Sequence, residues 1–171
     1  MSFIKTPLSQ LNIDPFGAIG QDWMLITAAN PDGAANTMTA SWGGLGVLWG
    51  QDVAFVFIRP QRYTKEFVDS TDRFSLTFFD GQKKALSLLG SVSGRERDKI
   101  TEAGLHLTDI DGVPTFEEAR VTLICEKLYA DTIKPECFLP TAAENDAKWY
   151  ANKDYHTVYI AKIQAAYIAA E

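Results

Sequence analysis

The sequence is poor in the residues that self-sufficient catalytic sites use. It has two cysteines, Cys125 and Cys137, and two histidines, His106 and His156. Two cysteines build neither a disulfide framework nor a metal-binding spacing. The histidines stand outside any HExxH or HxH arrangement, so a metal centre would lack ligands. There is no Gly-x-Ser-x-Gly elbow and no Walker-type phosphate loop. The neighbouring carboxylates Glu117 and Glu118 fall on different faces of any regular element and cannot act as a pair. An enzyme built on this chain would leave the chemistry to a cofactor and supply binding and electrostatics. No apolar run reaches the roughly 18 residues of a membrane span. The start, Met1 to Pro7, lacks the apolar centre of a signal peptide, and a cytoplasmic address with reduced thiols follows as the expectation. A net charge of −6 argues against nucleic acid as a partner.

What is present is an ordinary globular composition, 46% apolar and 22% charged, over 171 residues, which suits one domain with a sizeable core. Four Trp, six Tyr and ten Phe suit a β-rich fold and a site that stacks on planar rings. Residues 1–17 read as an irregular arm, punctuated by Pro7, Pro15 and Gly17. Strands are expected over 23–29, 36–42, 53–58, 73–79, 120–133 and 155–168, with a shorter one near 105–109. Asn30-Pro31-Asp32-Gly33 is a turn that makes a hairpin of the first two. The glycine-rich stretch 43–50 has the wrong spacing for a dinucleotide fingerprint and reads as a close-packed loop. Short helices are expected at 65–70, 82–89 with Gly90 just past its end, and 95–103 ended by Gly104. Asp111 to Pro114 reads as a turn. The sum is a mainly β fold of barrel type with short helices.

Two stretches carry chemistry. In Asn36-Thr37-Met38-Thr39-Ala40-Ser41-Trp42, strand alternation puts Thr37, Thr39 and Ser41 on one face. Three hydroxyls in line span roughly 13 Å. They can hold a long polar ligand, or they can be a solvated strand face. In Arg59-Pro60-Gln61-Arg62-Tyr63-Thr64, Pro60 stops a strand and Thr64 can cap the helix that follows. Two arginines beside a helix N-terminus suit an anion, and equally suit surface charge. Lys99 on a polar helix reads as a solvated lysine.

These blocks, with Ser93-Gly94-Arg95-Glu96-Arg97-Asp98-Lys99, Lys148-Trp149-Tyr150 and Asp154-Tyr155-His156, resemble the flavin reductase-like, flavoredoxin-type FMN-binding family over residues 18–163. The resemblance implies a split β-barrel of Greek-key type, homodimeric, with FMN near the dimer interface. It implies that Thr39, Ala40, Ser41 and Trp42 hold the ribityl chain and ring edge. It implies that Arg59, Arg62, Tyr63 and Thr64 bind the phosphate, that Lys99 reaches the flavin near its N1–C2 region, and that His156 belongs to the site. It implies a flavin reductase, with NAD(P)H the candidate donor, or an electron carrier serving a small-molecule or protein acceptor. A binding protein for another planar ligand and a pyridoxamine phosphate oxidase-like enzyme are the alternatives. The chain departs from the family pattern in Tyr159-Ile160-Ala161-Lys162-Ile163, where Gly and an acidic residue are usual, and at Glu96, where Asp is usual.

Overall fold

The computed structural model describes residues 2–170. Among the described residues there are ten strands and four short α-helices, in chain order β1 (Phe3–Thr6), β2 (Met24–Ala29), β3 (Ala35–Ala40), β4 (Gly43–Leu48), β5 (Gln51–Ile58), α1 (Tyr63–Ser70), β6 (Arg73–Phe78), α2 (Lys83–Ser91), α3 (Lys99–Glu102), β7 (Leu107–Ile110), β8 (Val113–Phe116), β9 (Val121–Thr132), α4 (Glu144–Trp149) and β10 (Thr157–Ala169). Eight strands form one antiparallel sheet, seven in the order β3-β2-β6-β9-β10-β5-β4 and the eighth, β1, paired with β10 off that path. The thirteen-residue β10 organises it. One edge of β10 pairs with β9 along nearly its whole length. The other edge is shared, with β5 on residues 157–162 and β1 on residues 166–169.

The sheet curls around a single core. Met38 and Ala40 of β3 and Ala54 and Val56 of β5, near opposite ends of the strand order, pack in the same buried cluster as Leu76, Leu123 and Tyr159. The curl stops short of closure, because β3 and β4 end the order and do not pair with each other. A second cluster, centred on Leu25, Leu86, Leu89 and Phe116, fixes α2 and the β7–β8 hairpin against the outside of the sheet. Buried hydroxyls in that layer satisfy one another: Thr115 bonds both Thr77 and Thr122, at 3.0 and 2.9 Å.

Several elements differ from the sequence expectation, each for a physical reason. The N-terminal arm is not irregular throughout, since Phe3–Thr6 adds a strand to the edge of β10 that β5 leaves free. The glycine stretch is the strand β4, joined to β5 by Trp49-Gly50 with φ of 52° and 69°. A two-residue turn with both φ positive is the standard hairpin connection, but Trp-Gly is not its usual sequence. Gly43 sits where an added Cβ would lie 2.8 Å from the Phe55 carbonyl oxygen, so its place in the strand reflects close backbone approach. Val113 and Pro114 belong to β8 and only Asp111-Gly112 make the turn, with φ of 56° and 76°. Gly90 lies inside α2, where a Cβ would press on Thr39. The helix expected over 95–103 shrinks to Lys99–Glu102, capped by the Asp98 carboxylate on the Thr101 N–H.

Leu123, the third residue of β9, is fully buried in the main core cluster. Leu123→Ala will destabilise the fold by about 2–5 kcal/mol, read as a lower urea midpoint.

Candidate functional site

The split in the sheet opens onto a cleft of about 430 Å³. Five consecutive residues of β3 and its exit, Met38 to Trp42, form one wall. Consecutive strand side chains point to opposite faces, so five in a row can line one cleft only if the backbone edge itself does. β3 is a terminal strand and has that edge free of strand pairing. Facing this wall are Phe57 and Arg59 from β5 and its end, Arg62 before α1, and Trp149 and His156 from the long connection between β9 and β10. A recess of about 140 Å³ adjoins the cleft, sharing Met38 and Arg62 with it. Tyr63, Thr64 and Lys99 line the recess together with Gln61 and residues 91–93.

All ten residues marked by sequence therefore gather in one place: Thr39, Ala40, Ser41, Trp42, Arg59, Arg62 and His156 along the cleft, and Tyr63, Thr64 and Lys99, with Arg62 again, in the recess. Several do something other than expected. The row of three hydroxyls does not face a ligand as a unit. Thr37 is fully buried, its hydroxyl bonded to Thr27 and to the Ile26 carbonyl. Thr39 donates to the Leu86 carbonyl of α2 at 2.5 Å. Ser41 alone is exposed with an uncommitted hydroxyl. Thr64 is not the cap of α1. The helix begins one residue earlier, with Arg62 at the N-cap position and no side chain capping it. The Thr64 hydroxyl is buried and accepts from the Asn36 amide at 2.9 Å. That bond ties β3 to α1. Gly94 closes over the same amide: a Cβ there would come within 2.3 Å of Asn36 Oδ1.

Arg62 and Lys99 define the electrostatics. Lys99 is not a solvated lysine but only 4% exposed, its ammonium donating to the Leu89 carbonyl at 2.9 Å. Burial, and then the Arg62 charge, pull its pKa down to about 8. Arg62 donates to the Gly90 carbonyl at 2.5 Å, and burial, and then Arg59, lower its pKa too. Among the described residues neither cation has a carboxylate partner. Beside them, the first-turn N–H groups of α1 have no side-chain cap. Two desolvated positive charges and a bare helix N-terminus make a site complementary to a compact anion.

Arg59 is different, because its charge is spent within the protein. It reaches Asp154 at 2.5 Å and the Trp149 carbonyl at 2.9 Å. The far end of the cleft is aromatic. Trp42 lies edge-to-face with Trp149, centroids 5.1 Å apart, and 5.0 Å from His156. The His156 Nδ1 is 2.9 Å from the Tyr150 hydroxyl. Burial, and then Arg59, hold the imidazole pKa down at about 4, so the ring is neutral near pH 7. Met38, Phe57 and Trp149 also line the cleft but were not among the residues marked by sequence. Trp149 stood in a family-like block, whereas nothing local distinguishes Phe57 from any core aromatic. No group of three or more metal-ligating side chains occurs among the described residues, and no helix there is long and apolar enough to cross a membrane.

The fold has close parallels. Its likeness to an FMN-binding domain of a flavin reductases-like enzyme from Shewanella baltica has a TM-score of 0.67 at 17% identity, over 98% of this chain and 77% of that one. For a flavoredoxin from Methanosarcina acetivorans the TM-score is 0.64 at 22% identity, over 86% and 68%. For a flavin reductase-type protein with a split barrel domain from Shewanella frigidimarina it is 0.68 at 13% identity, over 88% and 68%. At these identities the likeness shows the fold, and the fold is the split β-barrel. Residues 16–171 match the flavin reductase like domain, and the chain belongs to that family. None of the curated proteins matches it in sequence. Membership supports a flavin-linked oxidoreductase and a flavin cofactor.

The depressed pKa of Lys99 has a testable sign. In the unfolded chain lysine stays protonated to about pH 10.4. The folded chain sheds that proton near pH 8, so between these values the unfolded state binds more protons and stability rises with pH. Urea melts of the ligand-free protein and of Lys99→Met will show the wild type gaining on the variant from about pH 8 upward. A difference that stays constant with pH would contradict a buried, charged lysine.

Proposed function

We propose that the protein binds FMN in the cleft and works as a flavin reductase or as a flavoredoxin-type electron carrier. The observation that carries this reading is a pair of cations without a carboxylate, the buried Lys99 and the half-buried Arg62, at one end of a cleft whose other end is aromatic. FMN has that polarity, with a dianionic phosphate at one end and a planar ring at the other. When bound, FMN supplies reversible two-electron and one-electron chemistry at its ring.

The chain's residues have divided tasks in this reading. Arg62, Lys99 and the first-turn N–H groups of α1 hold the phosphate, with Tyr63 and Thr64 shaping its recess. Lys99 serves the phosphate rather than the ring, because it lines the recess that Arg62 shares and not the aromatic end. The free edge of β3 from Thr39 to Trp42 offers backbone groups and the Ser41 hydroxyl to the ribityl chain and the ring edge. Trp42 and Trp149 flank the ring and exclude water. His156 meets the ring as a neutral hydrogen-bonding group, held by the Tyr150 hydroxyl at its Nδ1. NAD(P)H is the donor in the reductase version and would approach the ring directly. The working unit is a homodimer.

Arg62→Ala will weaken FMN by about 100-fold and riboflavin by less than about threefold, since only FMN carries the phosphate; fluorescence titration reads both. Equal losses would remove Arg62 from the phosphate. Rising pH will weaken FMN but not riboflavin above about pH 8, as Lys99 loses its proton. Anaerobic stopped-flow mixing of the FMN-loaded protein with NADH or NADPH separates the two versions, because a reductase bleaches at 450 nm and a carrier does not. Size-exclusion chromatography at micromolar concentration tests the dimer, and a monomer that retains FMN would refute it.

A further inference from the structure

The connection between β9 and β10, residues 133–156, runs along the aromatic end of the cleft and delivers Trp149 and His156 to it. It is poorly anchored for its length. From 133 to 155 only Tyr150 is buried, and none of its helical turns contributes a buried residue. Segments with so few buried contacts open locally at low cost. What holds this one to the barrel is concentrated on Arg59. One guanidinium nitrogen donates to Asp154 at 2.5 Å and the other to the Trp149 carbonyl at 2.9 Å. The guanidinium carbon also lies 5.3 Å from the centre of the Tyr150 ring. Gln61 adds a second donor to Asp154 at 2.7 Å. Arg59 thus touches the connection at three residues, and two of them bracket its last turn. A residue expected to bind phosphate has both terminal nitrogens occupied by the protein, while Arg62 and Lys99 have no such carboxylate.

We propose that Arg59 is a positioning residue that latches this connection and so holds Trp149 over the aromatic end of the cleft, where Trp149 limits how a planar donor or acceptor reaches the flavin ring. The proposal rests on the FMN reading for the identity of the ring, but not for the latch itself. The arrangement separates two jobs between two nearby arginines. Arg62 answers to the ligand's charge. Arg59 answers to Asp154 and controls the wall across from β3.

Two variants test it from opposite sides of the latch, Arg59→Gln and Asp154→Asn. Hydrogen exchange on the ligand-free protein will show residues 134–153 opening at least about tenfold faster in both, with β9 and β10 unchanged. With FMN bound, acrylamide will quench flavin fluorescence more steeply in both variants. The ratio of FMN to riboflavin affinity will stay within about threefold of wild type. Trp149→Phe, which keeps the backbone carbonyl that Arg59 holds, will leave the exchange at wild-type rates. Unchanged exchange in both latch variants overturns the proposal. So does an Arg59→Gln protein that loses FMN affinity but keeps that for riboflavin, since Arg59 would then be a phosphate ligand. A wild-type protein that binds no FMN overturns the access role and the functional reading together, while faster exchange in the variants would still establish the latch.

Discussion

Two positive charges share one recess with nothing negative beside them, and the surrounding structure exists to keep them there. A buried ammonium or guanidinium without a partner is among the least favourable things a fold can contain. Here each cation is held by a backbone carbonyl of one helix, Lys99 by Leu89 and Arg62 by Gly90. Helix C-terminal carbonyls carry partial negative charge, so the end of α2 offsets part of the repulsion between the two. The same helix takes the Thr39 hydroxyl on its Leu86 carbonyl. One short helix thereby fixes the spacing between the anion recess and the β3 wall. Gly90 lets β3 pass close at that contact, where a Cβ would lie 3.2 Å from that of Thr39.

The remaining polar bonds of the region extend the same logic. Asn36 links β3 to α1 through Thr64, so the two elements that bound the recess cannot drift apart without breaking a buried amide–hydroxyl bond. The loop carrying Gly94 can lie on Asn36 only because it has no Cβ there. These bonds use up hydroxyls and amides that a sequence reading assigns to the ligand. The site is preorganised by spending its polar side chains on itself. What stays uncommitted along the cleft is two cations, a backbone edge and aromatic rings.

How much of this could be read in the sequence follows from that division. Residues 73–78 and the start of 121–132 are legible because they alternate, and 53–58 because it is a short run apolar on both faces. The site's location was legible too, since all the marked residues converge on it. What each residue does was less so. Strand periodicity puts Thr37, Thr39 and Ser41 on one face, but whether a hydroxyl meets ligand or protein depends on what packs there. The packing of α2 against β3 links residues 47 apart. Lys99 looked solvated because Arg95 to Ala103 looked like one polar helix. Only its last turn is helical, and Lys99 at its start reaches inward to the Leu89 carbonyl. β4 was hidden because three of its six residues are glycine, and only pairing with β5 makes a strand of them.

The failure of the sheet to close is what leaves the cleft open. A terminal strand with a free backbone edge is a liability, open to pairing with another chain. β3 ends the strand order, and its exit, Ser41 and Trp42, turns away before β4 begins. Closure of β3 on β4 would satisfy that edge and erase the cleft. The close approach of Gly43 to the Phe55 carbonyl commits β4 to β5 instead, and α2 and Asn36 commit β3 to the helical side. The edge residues therefore stay free of strand pairing where they line the cleft. A ligand lying along this edge, its charged end on Arg62 and Lys99, would complete the barrel wall that the chain leaves open.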